Sequence, residues 1–407
     1  MDYRILLMHL LDLPRMCVDD FKKTLEAVFI YVSVFPGRHI CPRCCKQHSK
    51  VSEVKEFKVR DLPVFGKPCY LMIRKGRLHC ACGFRGYEAL DFVNKHQRQT
   101  KRFEELTFNL CDRMTVSDAA ELMDINWKRA HDIDKQTLQQ LKEKTKLPPL
   151  QTIGVDEISI EKYHKYFTIV YDIENRQGTI FIAEGRTTES LDQFFEHLTP
   201  EQRQEIKVVC MDMWDAYVKS VHKNLPHAAI VFDRFHLKMH LNQCIDELRR
   251  SINRDIELSK EQKKIIKNKR WVLLKKQSRH SKKDQQALEE IKTLNMPLYE
   301  GYLLKEQFDL FYHCETSQQG KEFIENWFSK IPDTIKSFFE PFFKTIKNYL
   351  YGVISFFEHR YTNAVAEGLN NKIKVLKRMA YGYRDKEYFK LKILRRCGYL
   401  RHAQPVF

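Results

Sequence analysis

Two aspartates sit where acids are costly. Asp156 lies inside the apolar run TIGVDEISI, and Asp212 closes the run IKVVCMDM. A carboxylate among apolar strand residues is unfavourable unless a metal or cation pairs with it. Hard oxygen ligands suit Mg or Mn better than zinc. Two such ions, roughly 3.5–4 Å apart, activate a water or a 3′-hydroxyl and stabilise the leaving oxygen of a phosphodiester. A third acid, Glu367, stands in the helical pattern RYTNAVAEGLNNKIKVLKRMAYGYRD. Asn363, Asn370, Asn371 and Lys374 share its face, and that face joins an acid, amides and a base. Asn363 and Asn371 are read as supporting residues, and Lys374, Lys377, Arg378 and Arg384 as phosphate contacts. A solvated amphipathic helix is the plainer alternative, although a stripe of Asn argues against it. Glu157, Asp172, Asp215, Asp233 and Glu358 are rivals for the metal role. Glu157 alternates to the other face of its strand, and Asp215 can open a helix. Asp233 and His236, in DRFH, follow a further apolar run. His236 could donate to a carboxylate or phosphate with Asp233 orienting it, though a lone His after a strand is more often structural.

Cysteines offer a second chemistry. Cys41-Pro-Arg-Cys44 is a two-residue knuckle, and Cys80-Ala-Cys82 follows with Gly83 behind it. Two thiolate pairs can close a tetrahedral zinc site and fold a segment too small for a core of its own. One structural zinc on Cys41, Cys44, Cys80 and Cys82 is the expectation. The second pair is tighter than usual, so Cys45, His48 and His79 remain alternative ligands. The other seven cysteines are scattered and read as ordinary core or surface residues. In a long Lys-rich chain this usage fits a reducing compartment.

The stretch MTVSDAAELMDINWKRAHDI has helix-turn-helix grammar. Thr115 or Ser117 can cap a first helix, and Ala119, Ala120 and Leu122 pack its inner face. Asp124-Ile125-Asn126 makes the turn. Trp127, Lys128, Arg129, His131 and Lys135 decorate a second helix, which would lie in a major groove with Lys128 and Arg129 near phosphates. A helical spacer is the alternative. A fragment spanning about residues 39–148 is expected to bind DNA alone.

Charge agrees with a polyanionic partner. Among 407 residues, 70 are Lys or Arg and 53 are Asp or Glu, a formal charge of +17. Runs 254–283 and 360–401 each hold 12 basic and 3 acidic side chains, so they carry the whole excess. A nucleic-acid surface is expected there rather than two solvated helix faces. No uncharged apolar run approaches the roughly 18–20 residues of a membrane span. The start, MDYRILLMHLLDL, has acids at Asp2 and Asp12 and no small-residue cleavage site, so no secretory signal is expected.

These residues need a multidomain α+β framework. Residues 1–38 read as an N-terminal helical segment ending in a strand, 39–95 as the finger, and 96–148 as the helix-turn-helix module closed by Pro148-Pro149. Residues 149–240 alternate strands and helices as a mixed α/β sheet. Residues 241–350 form a mainly helical insertion, and 351–407 a last helix and basic tail.

In that order, the chain resembles the DDE transposases of the bacterial insertion-sequence family ISL3. The resemblance rests on the finger Cys41–Cys82 with RDLP at Arg60–Pro63, the helix-turn-helix near 115–137, and GVDEIS, CMDMWDAY, DRFH and RWVLLK. TNAVAEGLNNKIKVLKRMAYGYRD is its most specific motif. The resemblance implies a zinc-ribbon-like finger and a ribonuclease-H-like catalytic domain with a helical insertion. In such a sheet the first and fourth strands are neighbours, so Asp156 and Asp212 would face each other. It implies Asp156, Asp212 and Glu367 as the triad holding two Mg or Mn ions. Its implied DNA is the terminal inverted repeats and a target. Asp233 and His236 would arrange the site or displaced DNA. Trp271, in the insertion, could stack on an unpaired base, although a core tryptophan is the simpler reading. A homodimer or larger assembly on DNA, in the bacterial cytoplasm at the nucleoid, completes the expectation. A silent DNA-binding regulator and a metal-dependent nuclease are the alternatives.

Overall fold

The computed structural model describes residues 3–95, 97–161, 165–254, 258–405 and 407. They form two compact units: residues 1–146, 377–396 and 400–407, and residues 147–376 and 397–399.

The first unit begins with α1 (Tyr3–Leu11), β1 (Met16–Lys23), β2 (Val28–Val34), β3 (His39–Ile40), β4 (Gln47–His48), β5 (Glu53–Val64), β6 (Lys67–His79) and β7 (Arg85–Tyr87). One sheet runs β1-β2-β6-β5, with β7 also on β6, and β3 and β4 pair separately. Alternation in VFIYVSV buries Val28, Ile30, Val32 and Val34 against Leu71 and Ile73. Residues 1–38, expected to be mainly helical, therefore contribute one helix and two strands. Their β-branched and aromatic residues at alternate positions fit a half-buried pleat better than a helix.

Three helices follow: α2 (Lys101–Cys111), α3 (Val116–Leu122) and α4 (Trp127–Lys144). Thr100, Thr115 and Asn126 cap them, each accepting a backbone N–H in the first turn. Of the two expected caps for α3, Thr115 is the one used. Ala119 and Ala120 are buried as expected, but Leu122 is 62% exposed and Met123 takes the inner place. The RDLP motif ties these helices to the sheet. Arg60 donates to Met123 O at 3.0 Å, and Asp61 accepts from Thr100 Oγ1 and Arg102 Nε at 2.7 and 2.8 Å.

The second unit opens with β8 (Thr152–Glu161), β9 (Lys165–Asp172) and β10 (Gly178–Glu184). Helices α5 (Thr188–Glu196) and α6 (Pro200–Glu205) precede β11 (Val208–Met211), and α7 (Asp215–Asn224) precedes β12 (Ala229–Phe232). The sheet order is β10-β9-β8-β11-β12. The first three strands are antiparallel, and β8, β11 and β12 are parallel. This is the expected ribonuclease-H-like arrangement. The helical region holds α8 (Arg234–Arg254), α9 (Lys260–Asn268), α10 (Arg270–Leu274), α11 (Lys282–Leu294), α12 (Met296–Phe308), α13 (Ser317–Ser329) and α14 (Asp333–Asn348). Short helices α15 (Leu350–Ile354) and α16 (Phe356–His359) lead to α17 (Ala364–Met379). Sheet and insertion share one core, in which Val209, Met211 and Phe232 join Leu241 and Ile245 of α8 and Phe339 and Phe342 of α14.

The last helix, α18 (Lys386–Cys397), returns to the first unit. Tyr388 and Leu391 pack with Phe108, Leu138 and Leu141 of α2 and α4. Lys392 Nζ lies 3.0 Å from Asp134, and Arg395 lies 2.9 Å from Asp112. Lys392 and Arg395 are buried, so part of the 360–401 charge run serves packing rather than a surface. The other run is partly paired too: Arg270 with Asp246, Lys275 with Asp284 and Lys276 with Asp309. Asp255 and Glu257, counted in that run, lie outside the described residues.

Candidate active site and DNA-binding elements

Parallel pairing of β8 and β11 sets Val208 against Thr152, Val209 against Ile153 and Cys210 against Gly154. Asp156 and Asp212 each lie two residues beyond the last matched pair. On the other side, Met211 pairs with Phe232, so Asp233 follows in the next row. Three aspartates thus gather at one end of adjacent strands. Asp212 Oδ1 accepts the Met213 N–H at 2.6 Å, and its Oδ2 lies 3.0 Å from His236 Nδ1. Asp233 instead caps α8, accepting the Phe235 N–H at 3.1 Å. His236 therefore faces Asp212, and Asp233 bonds to the backbone at the helix start instead of to the imidazole.

The electrostatics show crowded acids. Burial raises the pKa of Asp156; the Glu157 N–H and His236 oppose this, while Asp212 and Asp233 add to it. Burial likewise raises Asp233. Burial pulls His236 down, but Asp212, Asp233 and Asp156 outweigh it and its pKa rises. Negative charge at close quarters in a partly buried site is the setting a divalent cation relieves.

Helix α17 closes over this end of β8. Asn363 lies against Gly154, where an added Cβ would sit 2.7 Å from Asn363 Oδ1. Only glycine lets the helix start approach the strand so closely. Asn370 donates from Nδ2 to Asp156 Oδ2 at 2.7 Å and accepts from the Tyr171 hydroxyl. Asn371 and Lys374, expected on this face, are exposed, as is Glu367. Glu367 lies one turn before Asn370. The ligand oxygens of Asp156, Asp212 and Glu367 do not all come within 4.8 Å of one another. The donors thus fit a divalent cation in chemistry, and strand register brings the two aspartates to one end of the sheet.

The rival acids have other partners. Glu157 is 3.8 Å from Arg186, buried Asp172 accepts turn N–H groups from Asn175 and Gln177, Asp215 opens α7 and receives the Tyr349 hydroxyl, and Glu358 accepts from Ser317. Two residues near the aspartates carry no chemical signal of their own in the sequence. In sequence Asn370 is only part of a stripe, because its contact with Asp156 spans 214 positions. Arg186 packs between the Tyr166 and Trp214 rings at 4.4 and 4.7 Å, close to Glu157. Its signal was an Arg directly after a strand and Gly185.

In the first unit, Cys41, Cys44, Cys80 and Cys82 bring their sulfurs within 4.8 Å of one another. Cys41–Cys82 and Cys44–Cys80 distances are 3.6 and 3.5 Å. Tetrahedral zinc with 2.3 Å bonds requires sulfurs roughly 3.8 Å apart, so the set fits. The short second knuckle works because Gly83, at φ 86°, turns back to Cys80 O. Burial opposes ionisation of Cys41, but the N–H groups of Cys44 and Arg43 outweigh it and lower its pKa to about 7. The Lys46 N–H favours the Cys44 thiolate, but Cys80 and Cys82 outweigh it and push its pKa up to about 12. Four thiolates need a cation between them. Cys45, His48 and His79 lie outside the cluster.

Among the expected DNA contacts, Lys128, Lys374, Arg378 and Arg384 are exposed and Lys377 is half-buried. Arg129 is turned to Gln97 and Gln99, at 2.5 and 3.1 Å. Trp271 is 71% exposed under the Arg270 guanidinium, so it is not a core tryptophan. No described helix is long and apolar enough to cross a membrane.

A mixed sheet of this order with acids at its central strand ends, joined to a helix-turn-helix and a four-cysteine finger, defines a DNA-strand-processing enzyme of the DDE class. Family models match in three blocks: a transposase over 153–393, the helix-turn-helix domain of transposase family ISL3 over 88–137, and the zinc-finger of transposase IS204/IS1001/IS1096/IS1165 over 37–82. The chain belongs to the ISL3 transposase family; it is a DNA-binding transposase of an insertion sequence. It is 30% identical over 366 residues to the transposase for insertion sequence element IS1001 of Bordetella parapertussis, covering 89% of this chain and 90% of that one. It is 23% identical over 338 residues to the transposase for insertion sequence element IS1557 of Mycobacterium tuberculosis, covering 78% and 76%.

Proposed function

We propose that this transposase binds the terminal inverted repeats of its element and cleaves and joins DNA there, with Asp156, Asp212 and Glu367 holding two Mg or Mn ions. The β8–β11 register, whose last pair lies two residues before both Asp156 and Asp212, supports this reading most directly. When bound, such ions activate water or a 3′-hydroxyl for attack on a phosphodiester and offset charge on the leaving oxygen. The protein supplies orientation. Asn370 fixes one oxygen of Asp156, the Met213 N–H fixes one oxygen of Asp212, and His236 lies against the other. Glu367 completes the set from α17. Asn363 anchors that helix to β8, and Asp233 holds the start of α8 so that His236 stays in place.

The four cysteines hold one structural zinc. Lys128 approaches the repeat from α4, and Arg129 joins it by leaving Gln97 and Gln99. Lys374, Lys377, Arg378 and Arg384 grip backbone phosphates, and Trp271 stacks on an unpaired base. Two chains act together on two element ends, in the bacterial cytoplasm at the nucleoid.

The test is an excision and joining assay with the DNA flanking this gene, comparing the native protein with Asp212→Asn. Cleavage at both ends with 3′-hydroxyl joining, abolished in the variant, is expected. Cleavage without end preference or joining means a nuclease. Specific binding without cleavage in either protein means a regulator, or an enzyme waiting on a missing factor.

A further inference from the structure

Helix α17 ends in an unusual way. The Tyr381 N–H donates to Arg378 O and the Gly382 N–H donates to Lys377 O, both at 3.0 Å. These bonds form the helix-ending motif that places one residue in the left-handed region, a position usually held by glycine or asparagine. Here that residue is Tyr381, at φ 51°. An aromatic residue pays for that conformation in backbone strain. The two backbone bonds offset part of that strain, but the side chain adds no packing, because it is fully exposed. Its neighbour Tyr383 has a structural role, stacked on Phe389 at 4.5 Å and set against Tyr388. Tyr381 has no described ring partner.

The surroundings are basic. Lys377, Arg378 and Arg384 flank the turn, and Arg378 and Arg384 are exposed. The nearest following acid, Asp385, is held by Lys135 at 2.5 Å and by a weaker approach of His131. A flat ring standing free among cations with no acid partner among the described residues matches a nucleic-acid strand, with phosphates for the cations and a base for the ring. A ring stacks on a base only when that base has lost a neighbour. A strand-cleaving and strand-joining enzyme produces such bases at its cut ends.

We propose that Tyr381 is a stacking platform for an unpaired DNA base at the basic end of α17. This rests on the reading that Arg378 and Arg384 contact DNA. The conformation supplies an internal control. Tyr381→Gly removes the strain, so it leaves melting temperature unchanged or higher. It also removes the ring.

The experiment uses the full chain and two probes made from the DNA flanking this gene. One is a blunt duplex, and the other carries a short unpaired 3′ tail with 2-aminopurine at its end. Tyr381→Gly should bind the tailed probe about tenfold more weakly or worse, bind the blunt probe as the native protein does, and lose the 2-aminopurine quenching. Tyr381→Phe should behave as native. Equal binding and quenching by Tyr381→Gly overturns the proposal. Equal weakening on both probes shows a duplex contact and also overturns it. A change in sedimentation mass without DNA assigns the ring to a second copy of the chain, again against the proposal. Arg378→Ala with Arg384→Ala separates the underlying reading: if the pair leaves binding to both probes unchanged, this segment does not contact DNA at all.

Discussion

The side-chain amide of Asn370 meets the carboxylate of Asp156, with 2.7 Å between Nδ2 and Oδ2. The Tyr171 hydroxyl donates to the amide oxygen, which fixes which end of the amide faces the acid. Asn370 and Tyr171 are both buried, so the relay is shielded from water. It links α17, which bears Glu367, to the strand that bears Asp156.

Replacing Asn370 with Leu keeps the bulk and breaks the relay. Strand cleavage should fall by about 10- to 100-fold, the usual cost of losing an outer partner of a metal ligand. The buried Tyr171 hydroxyl loses its acceptor, which costs about 1–3 kcal/mol of stability. Single-turnover cleavage and urea unfolding measure the two effects. Unchanged cleavage would remove Asn370 from the site.

The finger predicts a metal stoichiometry. Purified protein should contain about one zinc per chain, bound by Cys41, Cys44, Cys80 and Cys82. Cys82→Ala should release it and melt residues 37–88, while Cys45→Ala leaves it in place. Metal analysis beside proteolysis of the first unit checks both. Full zinc content in Cys82→Ala would refute this ligand set.

Residue spacing carried much of this architecture, and its failures share a cause. Acids ending apolar runs, paired cysteines and capped short helices are local patterns, and the structure holds each of them. What spacing could not show were pairs distant in sequence. Lys392 and Arg395 look like surface cations in a basic helix, but Asp134 and Asp112 bury them. Asn371 and Asn370 are equivalent in a helical stripe until packing selects one. Leu122 fits an inner face by type, but Met123 occupies it, four residues after Ala119 and three after Ala120 on the buried side of the helix.

The helical insertion should be acid-sensitive. Burial opposes ionisation of Asp246, but its hydrogen bond to Arg249 and the charges of Arg249, Arg270 and Arg250 prevail and hold its pKa below the usual range. Asp309 behaves alike, with Lys238 and Lys276 outweighing burial. A depressed folded pKa gives stability that is present above the unfolded value of about 3.9 and is lost as pH falls through the folded value. Urea midpoints should therefore drop between about pH 5 and pH 3. Asp246→Asn should start from a lower midpoint and lose less over that interval. An identical loss in the variant would count against this assignment.

The tail helix makes the strongest stability prediction. Asp134 is fully buried, with Lys392 at 3.0 Å and the Tyr388 hydroxyl at 2.5 Å, and Lys392 also donates to Cys111 O at 2.7 Å. Removing one partner of a buried ion pair costs roughly 3–5 kcal/mol, because the other charge stays behind unpaired. Lys392→Met should therefore destabilise the first unit strongly, and Asp134→Asn with Lys392→Met should recover much of the loss. The same reasoning revises the expectation that residues 39–148 bind DNA alone. That fragment lacks α18, and it also lacks β1 and β2, which extend its sheet. It should unfold more readily than the full chain and bind duplex DNA weakly. Adding a peptide of residues 383–407 to a 1–148 fragment should raise its urea midpoint and strengthen its DNA binding, whereas the same peptide with Lys392→Met should do neither. Equal behaviour of the two peptides would show that the buried pair does not hold this unit together.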